Sequence, residues 1–179
     1  MTDPVDALLT AWRAELPDVI GPESELVKRI MLLSAMLAEG TAALLPELGL
    51  TEAEYDILVA LRRAGAPYRG KPAELTRLLA LSSGGTSNVV NHLVSRDLVV
   101  RESDPDDGRG TWVRLTEAGI SLAEQALRAN TSAHRELFAG VDPETMDAAA
   151  AALRAVFPAV QRARRTPPAA RGRRARPAV

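Results

Sequence analysis

Residues 81–119 read LSSGGTSNVVNHLVSRDLVVRESDPDDGRGTWVRLTEAG. Ser83–Ser95 has the length of one helix. Leu98–Arg101 is short and β-branched, and Thr111–Leu115 alternates apolar with polar, as a half-buried strand does. Asp104-Pro105-Asp106-Asp107-Gly108 between them is turn chemistry, so the two runs pair as a hairpin. Upstream, Pro72 stands at the first position of another helix, with Leu75, Leu78 and Leu79 facing inward. A turn around Ala80–Ser82 joins it to Ser83–Ser95. Two short helices across a tight turn, then a hairpin, predict a helix-turn-helix followed by a β-wing.

Outward from this stretch the chain reads as helical. Val5, Leu8, Leu9 and Trp12 recur at helical spacing over 4–15. A second helix runs from about Ser24, its expected N-cap, to Leu45, with Leu26, Ile30, Leu33 and Leu37 on one face. Thr51 caps a third, whose first turn holds Glu52 and Glu54 where the helix dipole favours acids. Tyr68-Arg69-Gly70 reads as a short strand. Thr116 caps a long helix to about Phe138, with His134 on its surface. Asp142-Pro143 opens the last helix, which reaches Val156 and ends or kinks at Pro158. The expected fold is mainly α: a winged helix-turn-helix with long terminal helices and a two-stranded wing. The expected divisions are 1–50, 51–115 for the DNA-binding region, 116–161, and a tail at 162–179.

The composition narrows the function. With no Cys, two His, no Gly-rich loop after a strand and no metal-spaced cluster, neither enzyme, metal nor cofactor is expected. No basic leader precedes an apolar run, and no stretch approaches the ~18 apolar residues of a membrane span, so a soluble cytoplasmic protein is expected. Residues 162–179 hold seven Arg and no acid; the rest sets 15 bases against 23 acids, so the net charge of −1 hides a body of −8. Such a Pro/Gly/Arg tail cannot pack a core and reads as disordered. It either adds non-specific phosphate affinity or is simply solvated.

The candidate recognition helix opens on Ser82-Ser83-Gly84-Gly85. Free N–H groups and close backbone approach suit a phosphate there. Ser83, Gly84, Thr86, Ser87, Asn88, Asn91 and His92 are the candidate DNA contacts, Asn being suited to adenine. No Lys or Arg lies between Leu81 and Ser95. Phosphate affinity falls to Lys71, Arg77, Arg96, Arg101, Arg109 and Arg114, which predicts a shallow salt dependence. Arg109, at the expected hairpin tip beside Asp106 and Asp107, suits a narrow minor groove.

Four stretches together resemble the MarR family (multiple antibiotic resistance regulators): Leu50–Asp56, Leu81–Gly85, Asp104–Arg109 and Leu115–Gly119. The resemblance covers about residues 24–157. It implies an obligate homodimer whose terminal helices form the interface, whose paired recognition helices read a pseudopalindrome, and whose ligand binds between dimerisation helices and DNA-binding lobe. The extra N-terminal helix around Trp12 looks like the urate-responsive branch, in which a Trp, an Asp and two Args serve the ligand. Trp12, Asp56 and Arg101 match; the other Arg falls at Val89, so urate fits poorly and another anionic or aromatic molecule is expected. Lys71 also replaces a Ser helix cap. The resulting expectation is a ligand-responsive regulator, a repressor, on double-stranded DNA. The alternatives are a non-specific or architectural DNA binder and a helical dimer acting through protein contacts.

Overall fold

A computed structural model describes residues 3–105 and 107–165; the side chains of residues 107–109 and 165 lie outside that description. The elements run α1 (Pro4–Glu15), α2 (Glu23–Leu44), a 3-10 turn (Pro46–Leu48), α3 (Glu52–Arg63), β1 (Arg69–Gly70), α4 (Pro72–Leu79), α5 (Ser83–Ser95), β2 (Val99–Asp104), β3 (Asp107–Leu115), α6 (Glu117–Leu137) and α7 (Pro143–Arg165). They fall into two compact units, divided between Glu136 and Leu137.

In the first unit, Ile57, Leu58 and Leu61 of α3 meet Leu75 of α4, Val90 and Leu93 of α5, and Val99, Val113 and Leu115 of the sheet. Ala123 and Ala126 close this core from α6. Small residues suit that position, because α6 passes close to the β2 end. A Cβ on Gly119 would lie 1.9 Å from the Leu98 carbonyl oxygen. That carbonyl accepts from Thr116 N at 3.1 Å, and Thr116 Oγ1 accepts from Gly119 N at 3.0 Å, so one Thr joins strand end to helix start.

The sheet differs from the expected hairpin. It has three strands in the order β1-β3-β2, all antiparallel, with Gly70 opposite Val113 and Arg101 opposite Val113 from the other side. Strand β3 starts at Asp107, not Thr111, and Asp104 pairs with Asp107. The turn is therefore shorter than its composition predicts, because Asp107 pairs with Asp104 after a register shift between Ser103 and Asp104. Arg109 accordingly lies in β3, beyond the turn; its side chain is outside the described residues.

Two helix boundaries also shift, while α4 starts at Pro72 as expected behind a different cap. Helix α2 starts at Glu23 behind Pro22 without a side-chain cap, and Ser24 sits inside it, its N–H donating to Gly21 O at 3.1 Å. Lys71 has no oxygen to cap α4, but Glu74 Oε2 accepts from Lys71 N at 3.0 Å. Helix α7 continues through Pro158 to Arg165, so residues 162–165 of the expected tail are helical. The Ala148–Ala152 run carries enough helix propensity to continue past the missing proline N–H. Residues 166–179 lie outside the described residues. His134 is half-buried rather than on the surface, and its Nε2 is buried without a hydrogen-bond partner among the described residues.

Helix α1 lies along α2, fixed by Arg29, which reaches Asp3 at 2.8 Å, Asp6 at 2.5 Å and Glu25 at 2.7 Å. Val5 and Leu9 are buried. The apolar face of α2 stays open: Ile30, Met31, Leu33 and Met36 are all exposed, as are Leu153, Phe157 and Val160 of α7. Within Glu23–Leu48 an 18-residue stretch has a mean hydropathy of 1.3, so by length and composition this segment could cross a membrane. The expectation of no such stretch is corrected: beyond Lys28 and Arg29, residues 30–45 carry a single charge, Glu39.

Candidate nucleic-acid interface

Helix α4, the turn and helix α5 form the helix-turn-helix. Ala80 takes a left-handed conformation (φ 51°) that turns the chain. Ser82 then caps α5 by accepting from Gly85 N at 3.1 Å. On α5, Val90, Leu93 and Thr86 face inward, while Ser83, Gly84, Ser87, Asn88, Asn91 and His92 are exposed. Thr86 is a correction to the expected contacts. Only 2% exposed, it donates its hydroxyl to Ser82 O at 3.2 Å and is turned away from any base edge.

Two further ties hold α5. Glu54, on the first turn of α3, is buried. It completes a capping box with Thr51, accepting from Thr51 N at 2.9 Å while Thr51 Oγ1 accepts from Glu54 N at 3.3 Å. Its Oε1 lies 2.6 Å from His92 Nδ1 and 3.2 Å from Arg96 Nη1. Burial pushes the Glu54 carboxyl up, but the Thr51 and His92 hydrogen bonds and the Arg96 charge prevail, and it lies below the ordinary glutamate value. Arg96 also donates to Gly49 O at 2.8 Å. The T-x-x-E spacing announces the capping box. No local signal announces the reach from Glu54 to His92, which depends on how α3 crosses α5.

Beside α5 stands the wing. Arg101 Nη2 donates to Asn91 Oδ1 at 2.9 Å, so a strand cation orients a recognition-helix amide. Arg114 pairs with Glu102 at 2.6 Å, and Lys71 pairs with the buried Asp104. The Trp112 ring lies between Arg69 and Lys71, each 4.4 Å from it. Arg77 donates to Ala73 O at 3.3 Å. Most flanking cations thus already hold internal partners.

The expected ligand residues stand apart. Arg101 is engaged with Asn91 in the wing. Trp12 is 45% exposed on α1. Asp56 is exposed on α3; partial burial and then the Glu52 charge push its carboxyl above the ordinary value. Among the described residues no hydrogen bond or ion pair joins any two of the three. A larger feature lies elsewhere on α3. A groove of about 800 Å³ runs between α3 and α6, with Val59 and Leu127 as apolar walls and Arg62, Arg63, Arg128 and Arg135 around them. Arg62 is held by Glu124 through two hydrogen bonds, at 2.9 and 2.7 Å.

The MarR family pattern matches residues 48–110, from the turn before α3 through α4, α5 and into the wing. The stretch from the turn before α3 into the wing is a MarR-family winged helix. The chain is similar to the transcriptional regulator PecS of Dickeya dadantii, at 22% identity over 78% of this chain and 84% of PecS. It is also similar to the multiple antibiotic resistance protein MarR of Salmonella typhimurium, at 30% identity over 52% of this chain and 63% of that protein. Among solved structures, a mutant of Escherichia coli MarR has a TM-score of 0.63 at 26% identity, over 78% of this chain and 99% of that one. The same mutant complexed with operator DNA has a TM-score of 0.61 at 24% identity, over 81% and 96%. Of these relatives, PecS is by name a transcriptional regulator.

Proposed function

We propose that this MarR-family regulator acts as a homodimeric repressor. Its two α5 helices enter successive major grooves of a pseudopalindromic operator, and a small aromatic or anionic ligand releases it. One observation carries the reading: α5 presents Ser83, Ser87, Asn88, Asn91 and His92 outward on a single polar, uncharged face beside the wing. Such a face serves base edges rather than phosphates. Arg109 follows the wing turn, and its assigned role is the adjacent minor groove.

The exposed apolar residues of α2 and α7 support dimerisation, since soluble monomers rarely leave such contiguous patches open. For the ligand, the α3–α6 groove offers arginines around an apolar wall, which suits a carboxylate on a ring. We place the ligand there, with Trp12, Asp56 and Arg101 as the alternative set. Acting on DNA, the protein works in the cytoplasm.

Selection from a random duplex pool tests the reading. The expected product is an inverted repeat with half-site centres about 10–10.5 base pairs apart. A pool that stays random contradicts it, and favours the second reading, a non-specific binder. That reading draws on the absence of Lys and Arg from residues 81–95 and on the seven Arg of 162–179.

A further inference from the structure

His92 is joined to Glu54 in a way that decides which face of its ring chemistry DNA meets. The Glu54 side chain is 3% exposed, that of His92 62%. The carboxylate is held ionised by its surroundings, so it has no proton to give. At 2.6 Å the proton in the Glu54–His92 bond therefore belongs to Nδ1. The atom left to the exposed side of the ring is Nε2, which in the neutral imidazole carries no hydrogen. His92 lies one turn beyond Asn88 and beside Asn91, both exposed on the face assigned to base reading. Among the described residues, the groups that bear on the pair are Thr51, which caps α3, and Arg96, which follows α5 and donates to the same Oε1 at 3.2 Å.

We propose that Glu54 is a positioning residue for operator specificity: by accepting from Nδ1 it fixes the His92 tautomer whose bare Nε2 accepts from the exocyclic amine of an adenine or cytosine in the major groove. This rests on the DNA-reading role of α5 proposed above. In the major groove only adenine N6 and cytosine N4 donate, whereas guanine O6 and N7 and thymine O4 accept. A buried acid on a neighbouring helix thus chooses between two classes of base without touching DNA.

Glu54→Gln tests it, because the substitution reverses the donor pattern at constant shape. Thr51 N, at 2.9 Å, can only donate to residue 54, whereas Arg96 Nη1, the weaker donor at 3.2 Å, keeps Gly49 O as its acceptor, so the amide oxygen takes the Thr51 side. The amide NH2 then faces His92 Nδ1, which must accept, and the proton moves to Nε2. Two measurements at alkaline pH read this out on the full chain. Imidazole nitrogen NMR is simple here, since the sequence has two His. It should show His92 protonated at Nδ1 in the wild type and at Nε2 in Glu54→Gln. Duplex selection should show preference at one base pair of each half-site moving from an adenine or cytosine to a guanine or thymine, with roughly tenfold discrimination lost, the scale of one mismatched base pair. His92→Ala should flatten preference at that same base pair while the protein stays folded, and it carries the test if Glu54→Gln does not fold. An Nε2-protonated wild-type ring, or an unchanged base preference in either variant, overturns the inference while leaving α5 as the reading helix. A wild type that selects no sequence overturns both.

Discussion

Asn130 of α6 donates from Nδ2 to the Tyr55 hydroxyl of α3 at 2.9 Å, inside the protein. Its Oδ1 accepts from Thr41 Oγ1 of α2 at 2.8 Å. One buried amide therefore ties α2, α3 and α6. Burying an amide is costly unless its groups are paired, and here both are. Asn130→Ala leaves the Tyr55 hydroxyl without this partner and should destabilise by about 1–3 kcal/mol, while Tyr55→Phe should cost about 1 kcal/mol. Denaturant unfolding checks both. Equal stability of Asn130→Ala and wild type would show that the relay contributes nothing.

A steric prediction concerns the wing. Because a Cβ at Gly119 meets the Leu98 carbonyl at 1.9 Å, Gly119→Ala must push β2 away from α6. Overpacking of this kind costs about 1–3 kcal/mol. The thermal midpoint should fall, and hydrogen exchange at Leu98 and Thr116 should quicken. An unchanged midpoint would contradict the close approach.

Two acids on α3 should respond to pH with opposite sign. The folded Glu54 carboxyl lies below its ordinary value of 4.5. It therefore contributes stability above that pH, lost as the pH falls through the folded value. The folded Asp56 carboxyl lies above its ordinary value of 3.8, through burial and the Glu52 charge. Its ionisation opposes folding, a cost that grows as the pH rises past 3.8 and is relieved by acid. Hence Asp56→Asn should raise stability at neutral pH, and Glu54→Gln should reduce the loss of stability on acidification below 4.5. Urea midpoints between pH 3 and 7 measure both. A wild-type-like profile for both variants would contradict the assignment.

The open apolar faces predict the oligomeric state. Phe157 is 64% exposed and Met31 58%. A charge placed in a dimer interface built from them would be buried without a partner, at a cost on the order of several kcal/mol. Phe157→Glu should therefore sediment as a monomer at concentrations where the wild type is dimeric. A monomeric wild type, or a dimeric variant, would place the interface elsewhere.

Much of this was legible in the sequence because its signals are local. Thr51-x-x-Glu54, Thr116 and Asp142 each mark a helix start through hydrogen bonds made within one turn, and Pro72 and Pro143 do so through their fixed φ. The alternation of residues 111–115 gave β3 its inner face, with Val113 and Leu115 buried. What escaped depends on distance in sequence. Strand β1 was legible at Tyr68–Gly70, but not its place beside β3, which depends on Tyr68 O accepting from Leu115 N at 3.0 Å across the sheet. The inward turn of Thr86 follows from α5 packing, since its type alone reads as polar surface. Arg101 was matched to a ligand role by family likeness, yet its guanidinium is engaged by Asn91, ten residues earlier. The Glu54–His92 bond spans 38 residues, beyond any spacing rule.

The account's central claim is that the exposed face of α5 reads bases. Asn88 and Asn91 are exposed on that face, so replacing both with Ala should leave the core intact. Fluorescence anisotropy on the selected duplex and on a scrambled one, at fixed salt, is the most direct measurement. The double variant should lose affinity for the selected duplex by about 1–3 kcal/mol for each lost base contact, while its affinity for scrambled DNA and its melting temperature stay the same. Full discrimination between the two duplexes in the double variant would contradict the claim.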